Sequence, residues 1–270
     1  MKKMIYRGMT ATVMAAVLAA PAWAGQECEA AAQGPSPEVT AKALKSAEAT
    51  TNKLNALGDE VVLLARMGQD LSEYNLTYSH LGYAVKNSEG RWVVVHKLNE
   101  CGTATAGIYE QSMVQFFLDD LYKFRAGIWR LTPEVQARLK PQLLGKGSLA
   151  FHSPHYNMVA YPFGAKYQNS NGWVLEVLSS AINPSLQSRE QALNWLQRNG
   201  FTPSTMKISA FKRLGARATK ANITFEDHPS DQRWSGQIQV VTVDSVANFM
   251  KNVEGLCPSA GCPEETVFND

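Results

Sequence analysis

Tyr78-Ser79-His80-Leu81-Gly82-Tyr83-Ala84-Val85, with Trp92-Val93-Val94-Val95-His96 after it, reads as two strands joined by a tight turn. Leu81, Tyr83 and Val85 alternate with smaller residues, and Asn87-Ser88-Glu89-Gly90 supplies the turn chemistry. A three-residue loop of Ser88, Glu89 and a left-handed Gly90 is a common hairpin connection. It sets Asn87 opposite Arg91, and therefore Gly82 opposite His96 and His80 opposite Leu98. Side chains alternate faces along a strand, so His80 and His96 then share a face, one diagonal step apart. A two-residue turn would put the imidazoles on opposite faces. The turn therefore decides whether they meet.

A second stretch, Tyr167-Gln168-Asn169-Ser170-Asn171-Gly172-Trp173-Val174-Leu175-Glu176, reads as the start of a helix. Asn and Ser are favoured N-cap residues, and capping alone accounts for Asn169, Ser170 and Asn171. No Gly-x-Ser-x-Gly elbow is present. A serine at a helix N-terminus also lies among free backbone N–H groups, which favour a developing oxyanion. Both readings stay open at this stage. The two histidines carry the same pair of readings, as structural strand residues or as a base and its orienting partner.

Three motifs in order carry a resemblance: Gly58-Asp59-Glu60-Val61-Val62-Leu63, then Tyr78-Ser79-His80-Leu81-Gly82, then Asn169-Ser170-Asn171-Gly172-Trp173-Val174. Together they resemble the circularly permuted branch of the papain-like, NlpC-type proteins, which includes cell-wall amidases and lecithin:retinol-type acyltransferases. Over its length the chain is similar to a family of exported bacterial proteins known only as a domain of unknown function. The resemblance implies an α+β fold with an antiparallel sheet packed against helices. It implies His80 as the family histidine, His96 as its partner on the next strand, and Ser170 at the position of the nucleophilic cysteine. Asn169 and Asn171 would line the cleft. Serine in place of cysteine matters, because a thiol paired with histidine is partly ionised near neutral pH while a hydroxyl keeps its proton until a base removes it.

The N-terminus points to export. Lys2, Lys3 and Arg7 precede an uncharged apolar run from Met9 to Ala20, and Ala22-Trp23-Ala24 is a small-x-small cleavage site. Residues 1–24 therefore read as a signal peptide, with a periplasmic or secreted destination, and 25–270 as one α+β domain with a C-terminal elaboration. The run is too short to span a bilayer comfortably and no later segment is longer, so no transmembrane segment is expected. A net charge of +2 gives no field that argues for nucleic acid. In an oxidising compartment the four cysteines read as disulfides, preferred as Cys257 with Cys262 and Cys28 with Cys101. No Cys-x-x-Cys or close Cys/His spacing suggests a metal, and His152 and His155 make a poor motif with His80. No cofactor is expected.

Elsewhere the chain supplies helix signals. Ser36-Pro37-Glu38 opens a helix that Gly58 closes, Thr132-Pro133-Glu134 opens one running to about Leu144 with a kink at Pro141, and Ser188 to Gln191 opens a third. A short buried helix is expected over Gln111–Tyr122 and another helix from Asp244 to Asn252. Glu60–Arg66, Ala126–Leu131, Met206–Phe211, Ile223–Phe225 and Gln237–Val243 read as strands. Two functions follow. One is an amide or ester hydrolase or acyl transferase with a Ser170-His80-His96 site; the other is a non-catalytic protein binding a small-molecule, lipid or cell-wall ligand on the same scaffold.

Overall fold

A computed structural model describes residues 34–118 and 121–268. The expected signal peptide and Cys28 lie outside these residues. Helix α1 (Pro37–Leu57) starts where the Ser36 side chain accepts a hydrogen bond from the Val39 N–H, and ends at Gly58 with φ of 72°. Strands β1 (Val61–Met67), β2 (His80–Lys86), β3 (Trp92–Asn99) and β4 (Ala106–Ser112) follow, then helix α2 (Met113–Leu118) and strand β5 (Lys123–Arg130). Helices α3 (Pro133–Leu144), α4 (Ser170–Ile182) and α5 (Arg189–Arg198) come next. The remainder is β6 (Ser204–Lys207), α6 (Ala210–Thr219), α7 (Ser230–Ser235), β7 (Gln237–Val240), α8 (Val243–Asn252) and β8 (Glu264–Phe268).

The main sheet has the order β4-β3-β2-β1-β5-β8 and is antiparallel at every pairing. Its strands have apolar side chains on both faces, so helices cover both. Val62, Leu64, Ala84 and Val94 pack against Ala43, Ala47 and Leu54 of α1 and Phe116 and Phe117 of α2. Leu63, Leu81, Tyr83, Val85 and Val95 pack instead against α3, α4 and α8 through residues such as Leu139, Trp173, Val174 and Val246. Strands β6 and β7 form a separate two-stranded sheet with its own small core of Met206, Ile208, Phe225, Ile238 and Val240.

The expected α+β class and the antiparallel sheet packed against helices are what the chain forms. Cys257 and Cys262 are joined, with their Cα atoms 5.4 Å apart, and Cys101 is also disulfide-bonded. Four segments differ from expectation, one of them the strand expected over Gln237–Val243, which ends at Val240 because Thr242 caps α8. The helix over Gln111–Tyr122 is shorter, because β4 runs through Ser112 to complete its pairing with Val93. Ile223–Phe225 is loop rather than strand. The strand expected over Met206–Phe211 stops at Lys207, since Ser209 caps α6 by accepting from the Lys212 N–H. No helix among the described residues is long and apolar enough to cross a membrane.

Candidate functional site

The β2–β3 hairpin has the register its turn dictates. Tyr83 faces Val95 and Lys86 faces Trp92, the Asn87 N–H donates to the Arg91 carbonyl at 2.9 Å, and Gly90 is left-handed with φ of 74°. Continued one pair, Gly82 lies against His96, where a Cβ on Gly82 would stand 2.8 Å from that of His96. The missing side chain leaves room for the diagonal contact, and His80 Nε2 lies 2.8 Å from His96 Nδ1.

The tautomers follow from the partners. His96 Nε2 lies 3.0 Å from Gln111 Oε1, an oxygen that only accepts, so His96 carries its proton there. Its Nδ1 is then the acceptor, and His80 donates from Nε2. Phe116 packs beside both rings, at 6.1 Å from His80 and 5.4 Å from His96. Arg66, paired with His80 across β1, caps the group by donating to the Phe116 carbonyl and lying over its ring. Burial, then the nearby Arg66 charge, lowers both imidazoles: His80 falls well below its ordinary value and His96 falls to about 3. Both are neutral near pH 7.

Ser170 is built into the other face. Asn169 caps α4 by accepting from the Gly172 N–H at 2.7 Å, and its amide donates to the carbonyls of Val241 at 3.0 Å and Met158 at 3.3 Å. Asn171 also donates to Val241, at 3.3 Å, while its Oδ1 is buried with no partner among the described residues. Ser170 is a buried residue beside Tyr156, whose phenol burial pushes up to about 12 against a smaller lowering by the serine. Helix α4 packs on the sheet through Trp173, edge-on to Tyr83, and through the Val174 carbonyl, which accepts from the Tyr83 hydroxyl at 2.7 Å. Tyr83 has the opposite parity to His80 and to Gly82, the partner of His96. Among the described residues the sheet therefore brings His80 and His96 together and stands between them and Ser170.

A third group, which sequence reading passed over, lies under the start of α4. Lys97 follows His96 by one residue and so points to the opposite face. Its ammonium donates to His152 Nδ1 and Gln168 Oε1, each at 3.0 Å, and to the Ser153 carbonyl. Gln168 turns its amide to Glu176 at 2.7 Å, and Arg189 meets the same carboxylate at 3.1 Å while holding the carbonyls of Gly164, Ala165 and Tyr167. Burial lowers Lys97 to about 7, raises Glu176 to about 7 against the pull of Arg189, and lowers His152 to about 4. The signal was a lysine beside His96 in the otherwise apolar Val93–Leu98 run. In its ammonium form Lys97 has an acceptor for each of its three protons, so this cluster pins the 151–168 loop and α4 to the sheet.

A separate cleft of about 300 Å³ opens between α8 and the segment leading into β8, lined by Tyr78, Trp129, Asp244, Asn248, Lys251 and Glu264 among others. Tyr78 donates to Glu264 at 2.5 Å, and Arg125 bonds the same hydroxyl at 3.0 Å. Asp244 Oδ2 is buried with no hydrogen-bond partner among the described residues, and burial raises its carboxyl. No group of three or more His, Cys, Asp or Glu among the described residues is placed to hold a metal ion.

Fold and site define a mixed α+β protein in which an antiparallel sheet, covered by helices on both faces, buries one polar cluster per face. The chain belongs to the family described as "Uncharacterized protein conserved in bacteria (DUF2145)", whose model matches residues 53–250. That span contains His80, His96, Lys97, Ser170 and Glu176. No curated protein and no solved structure matches the chain.

Proposed function

We propose that this is an exported, periplasmic or secreted binding protein, in which Ser170 and the histidine pair serve as structure. One observation carries the reading: His80 and His96 bond each other on the α1–α2 face, while Ser170 is buried at the start of α4, which packs on the opposite face. A general base has to lie within hydrogen-bond reach of the proton it removes, directly or through one water. Here a sheet layer intervenes. The Gly172 N–H near the serine is already taken by Asn169. The ligand seat in this reading is the cleft at Asp244, whose unpaired carboxylate oxygen selects a small molecule bearing an amine, as cell-wall peptides and amino sugars do.

The second reading is a papain-like amide or ester hydrolase or acyl transferase. The histidine pair favours it, since the hairpin parity that the resemblance requires is present. Hydrolysis of p-nitrophenyl esters and of peptidoglycan fragments by wild type and Ser170→Ala separates the two. Binding predicts the same background rate in both and a rise in melting temperature with amine-bearing muropeptides that Asp244→Asn removes. Turnover by wild type that is lost in Ser170→Ala overturns the binding reading.

A further inference from the structure

The three most exposed large apolar side chains among the described residues lie on two adjoining short helices. Phe211 is 86% and Leu214 69% exposed on α6, and Trp234 is 89% exposed on α7. Arg213 ties the helices together, donating to the Ile208 carbonyl before α6 and, at 2.8 Å, to the Arg233 carbonyl of α7. Helix α6 is amphipathic, yet inverted relative to an ordinary surface helix. Phe211, Leu214 and Ala218, spaced by three and four residues, form one stripe and all are exposed. Arg213 and Ala216, on the far side, are the half-buried positions that face the protein. The stripe therefore contributes nothing to the fold. It is flanked by Lys212 and Arg217, and Ser204–Lys220 carries five basic residues and no acidic one.

We propose that the α6–α7 surface docks on an anionic lipid bilayer, with Phe211, Leu214 and Trp234 entering the headgroup region and the flanking cations meeting lipid phosphates. Charge complementarity selects this occupant. An apolar stripe of Phe, Leu and Trp edged by Lys and Arg is the composition of a helix lying in a membrane interface, whereas protein-binding cores are depleted of lysine. Lys212 pairs with Glu73 and Arg217 lies near Glu226, so the net attraction rests on the whole basic segment rather than on one residue. A short helix gives weak, reversible association, and Trp234 supplies a second anchoring point.

The test is co-flotation of the processed chain, from Gly25 onward, with vesicles of phosphatidylcholine alone and with phosphatidylglycerol added. The expected result is binding to the anionic vesicles only, weakened by high salt. Phe211→Ser/Leu214→Ser/Trp234→Ser and, separately, Arg217→Glu/Lys220→Glu should each lower partitioning by about tenfold or more. Because the three apolar side chains are exposed, the first variant should keep the wild-type melting temperature. Absence of vesicle binding, equal binding to neutral and anionic vesicles, or binding unchanged in the apolar variant overturns the proposal. Self-association of wild type that the apolar variant abolishes, without vesicle binding, also overturns it and assigns the surface to a second copy of the chain.

Discussion

His80 and His96 share one proton bridge at 2.8 Å because Gly82, opposite His96, has no side chain. The relationship joins a backbone property to a side-chain pair: the three-residue turn sets the parity and the glycine supplies the space. Gly82→Ala would put a Cβ 2.8 Å from His96 Cβ and 3.3 Å from the Val95 carbonyl. A loss of about 1–3 kcal/mol in urea unfolding is expected. Gly90→Ala, where φ is 74° and space is open, should cost about 1 kcal/mol through backbone strain alone.

The buried imidazoles predict an acid-labile fold. His96 has a folded value near 3 against 6.5 unfolded, so between these values the unfolded chain binds the extra proton. Stability therefore falls as pH drops through that window, by at most ~1.4 kcal/mol per pH unit for this one group. His80 and His152 act in the same sense, while Glu176, raised to about 7, opposes them between 4.5 and 7. His96→Gln should flatten the slope of unfolding free energy between pH 6.5 and 3. An unchanged slope would place the protonation elsewhere.

Arg189→Met removes the counter-charge of a buried carboxylate. Glu176 would rise further above its unfolded value, so stability would fall as pH rises through the widened window above 4.5. A loss of about 3–5 kcal/mol is expected at pH 8, and distinctly less at pH 5, where Glu176 is already protonated. Thermal melts at the two pH values measure the difference.

Asn169→Ala tests the cap. The side chain accepts from the Gly172 N–H and donates to Val241, linking the start of α4 to the strand end before α8. About 1–2 kcal/mol should be lost. Amide exchange should quicken at Gly172 before it does in the middle of α4.

Much of the local architecture was legible. Ser36, Asn169 and Ser188 cap the helices they precede, and Gly58 and Gly90 take the left-handed backbone their positions demand. The α6 segment was misread because Met206 and Ile208 alternate like a strand, and the three-and-four spacing of Phe211, Leu214 and Ala218 begins immediately after them. The Lys97–Gln168–Glu176–Arg189 cluster was not legible, because Lys97 lies far in sequence from the other three and no spacing motif links them to it. Lys97 and Gln168 alone are 71 residues apart.

The sequence by itself determined that His80 and His96 face the same way if the turn at Gly90 has three residues. That follows from one turn and a period of two, both local properties. Only the tertiary structure decided what they face. The layer against each side of β2 is set by contacts such as Tyr83 with Val174, 91 residues apart, and Arg66 with Phe116, 50 apart. Burial of apolar surface is non-directional, so either face of this doubly apolar sheet would accept either set of helices as far as strand pattern goes. The closed chain put α4 and Ser170 on the Lys97 face, and the imidazoles against Phe116.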